Sequence, residues 1–169
     1  MTAEFPSPTV AAATREQVLI GYLDYFRARI IDKIAGLSAG EQRASRLASG
    51  WTPLELARHL RWVELRWLQW GFRGEPVADP WGDEQAGRWH VEPDATAEHV
   101  LAELTAQGDR TRAIVASADL DDVGAPGERW DGAPPPTLER ILLHLLQEYA
   151  RHLGHLDVVS ELAGGDTGE

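Results

Sequence analysis

The sequence predicts an all-α fold: a four-helix bundle with at least one long crossover connection. Three observations carry this. Four segments place apolar residues at alternating steps of three and four, the period of a helix with one buried stripe. Each segment opens on a residue suited to cap a helix. The connections are of unequal length and rich in Pro and Gly, which argues against a simple array of hairpins. No strand-like alternation and no internal repeat is expected.

The bulk properties narrow the class. A chain of 169 residues can enclose a substantial core, and seven tryptophans argue for a folded globule. It carries 16 Lys/Arg against 27 Asp/Glu, a formal charge of 16 − 27 = −11. An acidic surface repels phosphate backbones, so no nucleic-acid partner is expected. No basic amphipathic stretch suits a membrane surface, and no apolar run is long enough to span one. Cysteine is absent, which excludes disulfides, thiolate zinc sites and a cysteine nucleophile belonging to the chain itself. With no signal-peptide pattern at the N-terminus, a cytoplasmic protein is expected.

Residues 1–13 read as a flexible arm, 14–163 as a single bundle domain, and 164–169 as a flexible tail. The first helix starts at a Thr14/Gln17 capping box, runs through Val18, Tyr22, Phe26, Ile30 and Ile34, and ends near Gly36. Small polar residues connect it to the second. There Thr52 caps, Pro53 suits the first turn and Glu55 completes the box. Leu56, Leu60, Val63, Trp67 and Trp70 form the second stripe, with an end expected near Gly71 or Gly74. Residues 71–94 form a long irregular connection holding Trp81 and Trp89. The third helix starts at Asp94 or Thr96, with Leu101, Leu104, Gly108, Thr111 and Val115 inward. A second long connection carries Trp130 and ends in Pro134-Pro135-Pro136, which forces a helix start at Thr137. The fourth helix buries Leu138, Ile141, Leu142, Leu145, Tyr149, Leu156 and Val159.

That last stripe is interrupted. Ile141, Leu145, Glu148, His152, His155 and Val159 step by four and three, so three polar residues stand where apolar ones belong. Glu148 and His152 are i, i+4 neighbours on one face. Buried ionisable groups are costly unless paired or bound to a metal. His59 on the second helix flanks its stripe and could meet them across the bundle. His59, Glu148 and His152 are therefore the candidate metal ligands. Two imidazoles and a carboxylate suit a divalent ion, zinc first, with nickel, iron(II) or manganese as alternatives. Three protein ligands leave a coordination position open for chemistry.

The bland alternative is a core ion pair: Glu148 with His152, or with Arg58 or Arg61. His155, one turn beyond His152, is the catalytic candidate, as a proton carrier, a fourth ligand or a group that orients one. His144 suits a helix–helix hydrogen bond, and Glu64 or Asp157 could orient the imidazoles. Gly154 suggests close helix approach. Trp67 and Trp70 read as core, and Trp62 as lining a cleft or interface. Trp81, Trp89 and Trp130 read as a lid over the site or as surface buried in a homodimer.

Two stretches carry a resemblance. Trp51-Thr-Pro-Leu-Glu-Leu-Ala-Arg-His59-Leu-Arg-Trp-Val-Glu64 and Leu142-Leu-His-Leu-Leu-Gln-Glu148-Tyr-Ala-Arg-His152-Leu-Gly-His155-Leu-Asp157 resemble the DinB/YfiT-like superfamily. The similarity covers nearly the whole chain. It lies with the actinobacterial domain-of-unknown-function branch, related to the N-terminal domain of mycothiol-dependent maleylpyruvate isomerase. The resemblance implies a crossover four-helix bundle and a divalent metal held by one ligand from the second helix and two from the fourth. Those positions match His59, Glu148 and His152. Many members have His at the position of Glu148, whereas the isomerases use Glu. Characterised members use low-molecular-weight thiols such as mycothiol or bacillithiol. A metal-dependent transfer of such a thiol onto a small electrophile is the leading expectation. A metal-dependent hydrolase of a small molecule, or a non-catalytic metal- or ligand-binding protein, is the alternative.

Overall fold

The computed structural model describes residues 4–165. The ends of the expected arm and tail, 1–3 and 166–169, lie outside the described residues. The chain is mostly helical, as the periodicity predicts. Helix α1 spans Arg15–Gly36, a one-turn α2 spans Ala39–Gln42, α3 spans Pro53–Glu64, α4 spans Ala97–Val115 and α5 spans Leu138–Leu162. The starts follow their capping residues. Thr14, Thr52, Thr96 and Thr137 each accept a backbone N–H from three residues on. At Thr52 the Glu55 carboxylate also returns to the Thr52 N–H, closing the box at 2.7 Å.

The second long helix departs from expectation. Its α-helical winding stops at Glu64 and continues as a π-helix over Leu65–Phe72. The wider winding rotates the buried face. Leu65, Leu68 and Phe72 enter the core, while the expected Trp67 and Trp70 are only half-buried. Gly71 makes the turn passable, because a Cβ there would stand 2.8 Å from Trp130 Cη2.

Helix α1 packs between α4 and α5, and α3 packs between the same two helices. The links from α1 to α3 and from α4 to α5 therefore cross the bundle, giving the expected crossover topology. Contrary to the strand-free expectation, residues 73–96 hold a small hairpin. Strand β1 (Glu84–Gln85) pairs antiparallel with β2 (Arg88–Trp89). Ala86 and Gly87 turn between them with φ of 52° and 73°, the tight turn that matches strand twist. Residues 116–137 fold across the other end, with Trp130 buried and its Nε1 donating to Ala125 O at 2.7 Å.

The apolar core is continuous from Leu23 and Ile30 to Leu60, Leu104, Leu145 and Leu156. A polar knot lies inside it. Each of the four long helices contributes one residue: Arg27, Glu64, Thr111 and Tyr149. Arg27 donates to Glu64 Oε1 from Nε at 3.1 Å and Nη2 at 3.0 Å, and the Thr111 and Tyr149 hydroxyls donate to the same carboxylate. Burial pushes the Tyr149 phenol up, so it remains a donor. Gly108 leaves the space this needs, since a Cβ there would lie 2.8 Å from the Arg27 guanidinium carbon.

Candidate metal centre

Helices α3 and α5 bring the three expected ligands together. One donor atom from each of His59, Glu148 and His152 lies within 4.8 Å of the others, so the group could hold a metal ion. The capping box fixes where α3 begins and so which face His59 presents. The triple proline and Thr137 do the same for Glu148 and His152 on α5. His152 is buried. His59 and Glu148 are partly exposed toward a cavity of ≈ 490 Å³, which Trp51, Trp89, Arg151 and His155 also line.

The electrostatics favour the binding forms of His59 and Glu148. His152 Nε2 stands 3.3 Å from Glu148 Oε2, and the hydrogen bond it offers holds the Glu148 carboxyl below the usual carboxylate range. Burial pushes the His59 imidazole down, outweighing the upward pull of Asp83, so it is neutral at neutral pH. The donor set, two imidazoles and one carboxylate, fits a divalent ion. His152 Nδ1 is buried with no hydrogen-bond partner among the described residues, so no second polar group of the protein orients this ring.

The surroundings correct several expectations. Glu148 does not pair with Arg58 or Arg61. Arg58 donates to Gly82 O and Arg61 faces Glu103. Glu64 points into the core knot and Asp157 faces Lys33 at 2.7 Å, so neither orients an imidazole. His144 does not bridge helices by a hydrogen bond. Its ring lies 4.4 Å from Trp67 and its Nε2 is 3.7 Å from Glu148 Oε1. A Cβ on Gly154 would meet nothing within 4 Å, so close helix approach does not explain that glycine. Of the three loop tryptophans only Trp89 covers the cluster, stacked on His59 at 4.0 Å with a 20° interplanar angle. Trp81 lies over Arg66, and Trp130 packs against Gly71 and Gly124. Trp62 packs over Gly82 and, as expected, lines a cleft, here with Arg58, Arg61 and Glu103.

His155 lines the cavity, its ring 5.4 Å from His152 and 6.2 Å from Trp51. Burial first, and then the neighbouring Arg151 guanidinium, lowers its pKa.

The sequence reading missed Asp83. Its buried carboxylate lies 3.0 Å from His59 Nδ1 and is gripped by Arg66. A signal was present: Arg66 follows His59 by two helical turns, so a cation stood on the same face as the candidate ligand. A charge in that position needs a carboxylate, but nothing local in an irregular connection indicated which one.

Residues 18–165 match the family described as Mycothiol-S-transferase. The chain belongs to the mycothiol S-transferase family. This is a DinB-like family, in agreement with the resemblance of the α3 and α5 motifs. No curated protein matches the chain. No helix among the described residues is long and apolar enough to cross a membrane.

Proposed function

We propose that this protein is a divalent-metal-dependent thiol S-transferase that joins a mycothiol-type thiol to a small electrophile. One observation carries the proposal: His59, Glu148 and His152 converge on an aromatic-walled cavity, in a chain of the mycothiol S-transferase family. A divalent ion in this site, zinc first, supplies a Lewis acid beside which a thiol is deprotonated at neutral pH. The absence of cysteine fits a reaction whose sulfur is brought in by the co-substrate. A reducing cytoplasm is the setting in which such a thiol is available.

The chain's own residues have separable tasks. His59, Glu148 and His152 would hold the ion beside the cavity they line. Trp51 and Trp89 wall the cavity and exclude water from the reacting pair. His155 stands at the same wall as a neutral imidazole able to take the thiol proton. In a displacement the new S–C bond forms as the bond to the leaving group breaks. That group departs with the electron pair, and the thiol proton passes to His155 and then to solvent.

Thiol dependence tests this directly. Protein loaded with zinc is offered mycothiol and 1-chloro-2,4-dinitrobenzene, and release of chloride and the S-aryl product is followed. Product should require both thiol and metal, and His155→Gln should slow its formation by about 10²-fold. Metal-dependent consumption of electrophiles or esters without thiol would instead identify a hydrolase. No metal-dependent turnover of any kind would leave a binding protein.

A further inference from the structure

We infer that Asp83 is a positioning residue of the metal centre: it fixes the His59 ring with Nε2 turned to the ion, and Arg66 fixes Asp83. The inference rests on the metal-centre part of the reading above and not on the transfer chemistry.

The geometry begins on α3 with His59 and continues at Arg66, the second residue of the π-helix that follows it. Helical side chains lean toward the N-terminus, so the long Arg66 side chain reaches back toward His59. The connection after the π-helix lays Asp83 between them. Its Oδ2 is 3.0 Å from His59 Nδ1, and Arg66 donates to Oδ1 at 2.5 Å and Oδ2 at 3.2 Å. Asp83 is 1% exposed and Arg66 4%, so the fork is out of water, where a two-point grip is strongest.

Asp83 cannot drift from this place. Arg66 also donates to Pro80 O at 3.2 Å and lies under the Trp81 ring at 4.5 Å. Arg58 donates to Gly82 O at 2.9 Å. The hairpin closes behind through His90 N to Asp83 O at 2.8 Å. The backbone before the carboxylate is thus tied to α3, which carries His59, through Arg58 and to its π-helical continuation through Arg66.

An imidazole has two nitrogens. With Nδ1 donating to Asp83, Nε2 is the lone-pair nitrogen left for a metal. Carboxylates in this position fix ring orientation and tautomer and raise ligand basicity, and losing one costs 10- to 100-fold in metal affinity. The other ligand imidazole lacks such a partner, since His152 Nδ1 is unpaired. Orientation by an outer carboxylate is therefore asymmetric, present at His59 and absent at His152.

The test measures zinc affinity by competition with a chromophoric chelator, for the full chain and for Asp83→Ala, Asp83→Asn and Glu84→Gln. Glu84 is the exposed neighbour on the same hairpin and serves as the control. Asp83→Ala and Asp83→Asn should retain one zinc per chain but bind it about 10- to 100-fold more weakly, while Glu84→Gln binds as the parent does. Parent-like affinity in both Asp83 variants overturns the inference. Should they fail to fold, ¹⁵N NMR of the unmodified metal-free protein decides. The inference requires His59 with a proton on Nδ1 and none on Nε2, and the opposite tautomer overturns it. Zinc binding with no thiol transfer would sink the proposed reaction and leave this inference standing. No zinc binding by the parent would sink the metal centre, and the tautomer measurement would still decide whether Asp83 holds His59.

Discussion

Two polar clusters sit inside this bundle, and they solve the cost of burial in opposite ways. In the core knot, Glu64 is fully buried and its carboxylate receives Arg27, Thr111 and Tyr149, one from each other long helix. Every member finds its partner within the protein, so the knot is closed. The His59, Glu148 and His152 cluster draws on the same two helices, α3 and α5, and faces a cavity. Its donor atoms converge within 4.8 Å of one another, and the link between ligands is His152 Nε2 to Glu148 Oε2 at 3.3 Å. The difference teaches how to separate polar groups that hold a fold from those that await a ligand. Burial alone does not do it. What matters is whether the hydrogen bonds close within the chain.

Variants that open the closed knot should have the largest effects on stability and none on the chemistry of the ligands. Glu64→Ala leaves the buried Arg27 with Asp24 alone and takes the acceptor from Thr111 and Tyr149, and should cost about 3–5 kcal/mol, read by urea unfolding of the metal-free protein. Parent-like stability would show that the knot is dispensable. Next comes a pair of adjacent residues on α5 with opposite outcomes. Tyr149→Phe removes one hydroxyl from the knot and should cost about 1.5–3 kcal/mol, with zinc affinity retained. Glu148→Gln, one residue earlier and partly exposed, should change metal-free stability by less than about 1 kcal/mol yet lose zinc binding. If the two residues exchanged these behaviours, the division between knot and site would be wrong.

Adding zinc sharpens the contrast from the other side. At a free concentration one hundred times its Kd, zinc should stabilise the parent by about 2.7 kcal/mol, visible as a raised thermal midpoint. Glu148→Gln should show no such rise, while Tyr149→Phe should show it in full from a lower baseline. The smallest effect expected is at Trp89. Its ring only stacks on His59, so Trp89→Ala should weaken zinc by up to about tenfold, consistent with about 0.5–1.5 kcal/mol for an aromatic pair.

The helices and their starts were legible because capping and periodicity are local. Thr14, Thr52, Thr96 and Thr137 cap where the sequence places them. The three ligand candidates were legible because polar residues broke an apolar stripe at helical spacing. The π-helix was not. Its wider winding has no local period in the sequence, and within it Leu65, Leu68 and Phe72 are buried while Trp67 and Trp70 are half-buried. Asp83 was hidden for a related reason. Its role comes from where an irregular connection returns to α3, and a tertiary approach of that kind leaves no period in the sequence. Glu64 was visible as a carboxylate near the site. Only the packing of α1 against α4 shows that Arg27, made room for by Gly108, takes it into the core.

The most direct measurement is the zinc content and affinity of protein prepared without chelator or nickel affinity resin, alongside His59→Ala and His152→Ala. One tightly held zinc per chain in the parent, lost in both variants while their metal-free forms stay folded, is the predicted result. A parent that binds no divalent ion, or variants that bind it as tightly, would make the cluster a second structural knot and contradict the metal centre.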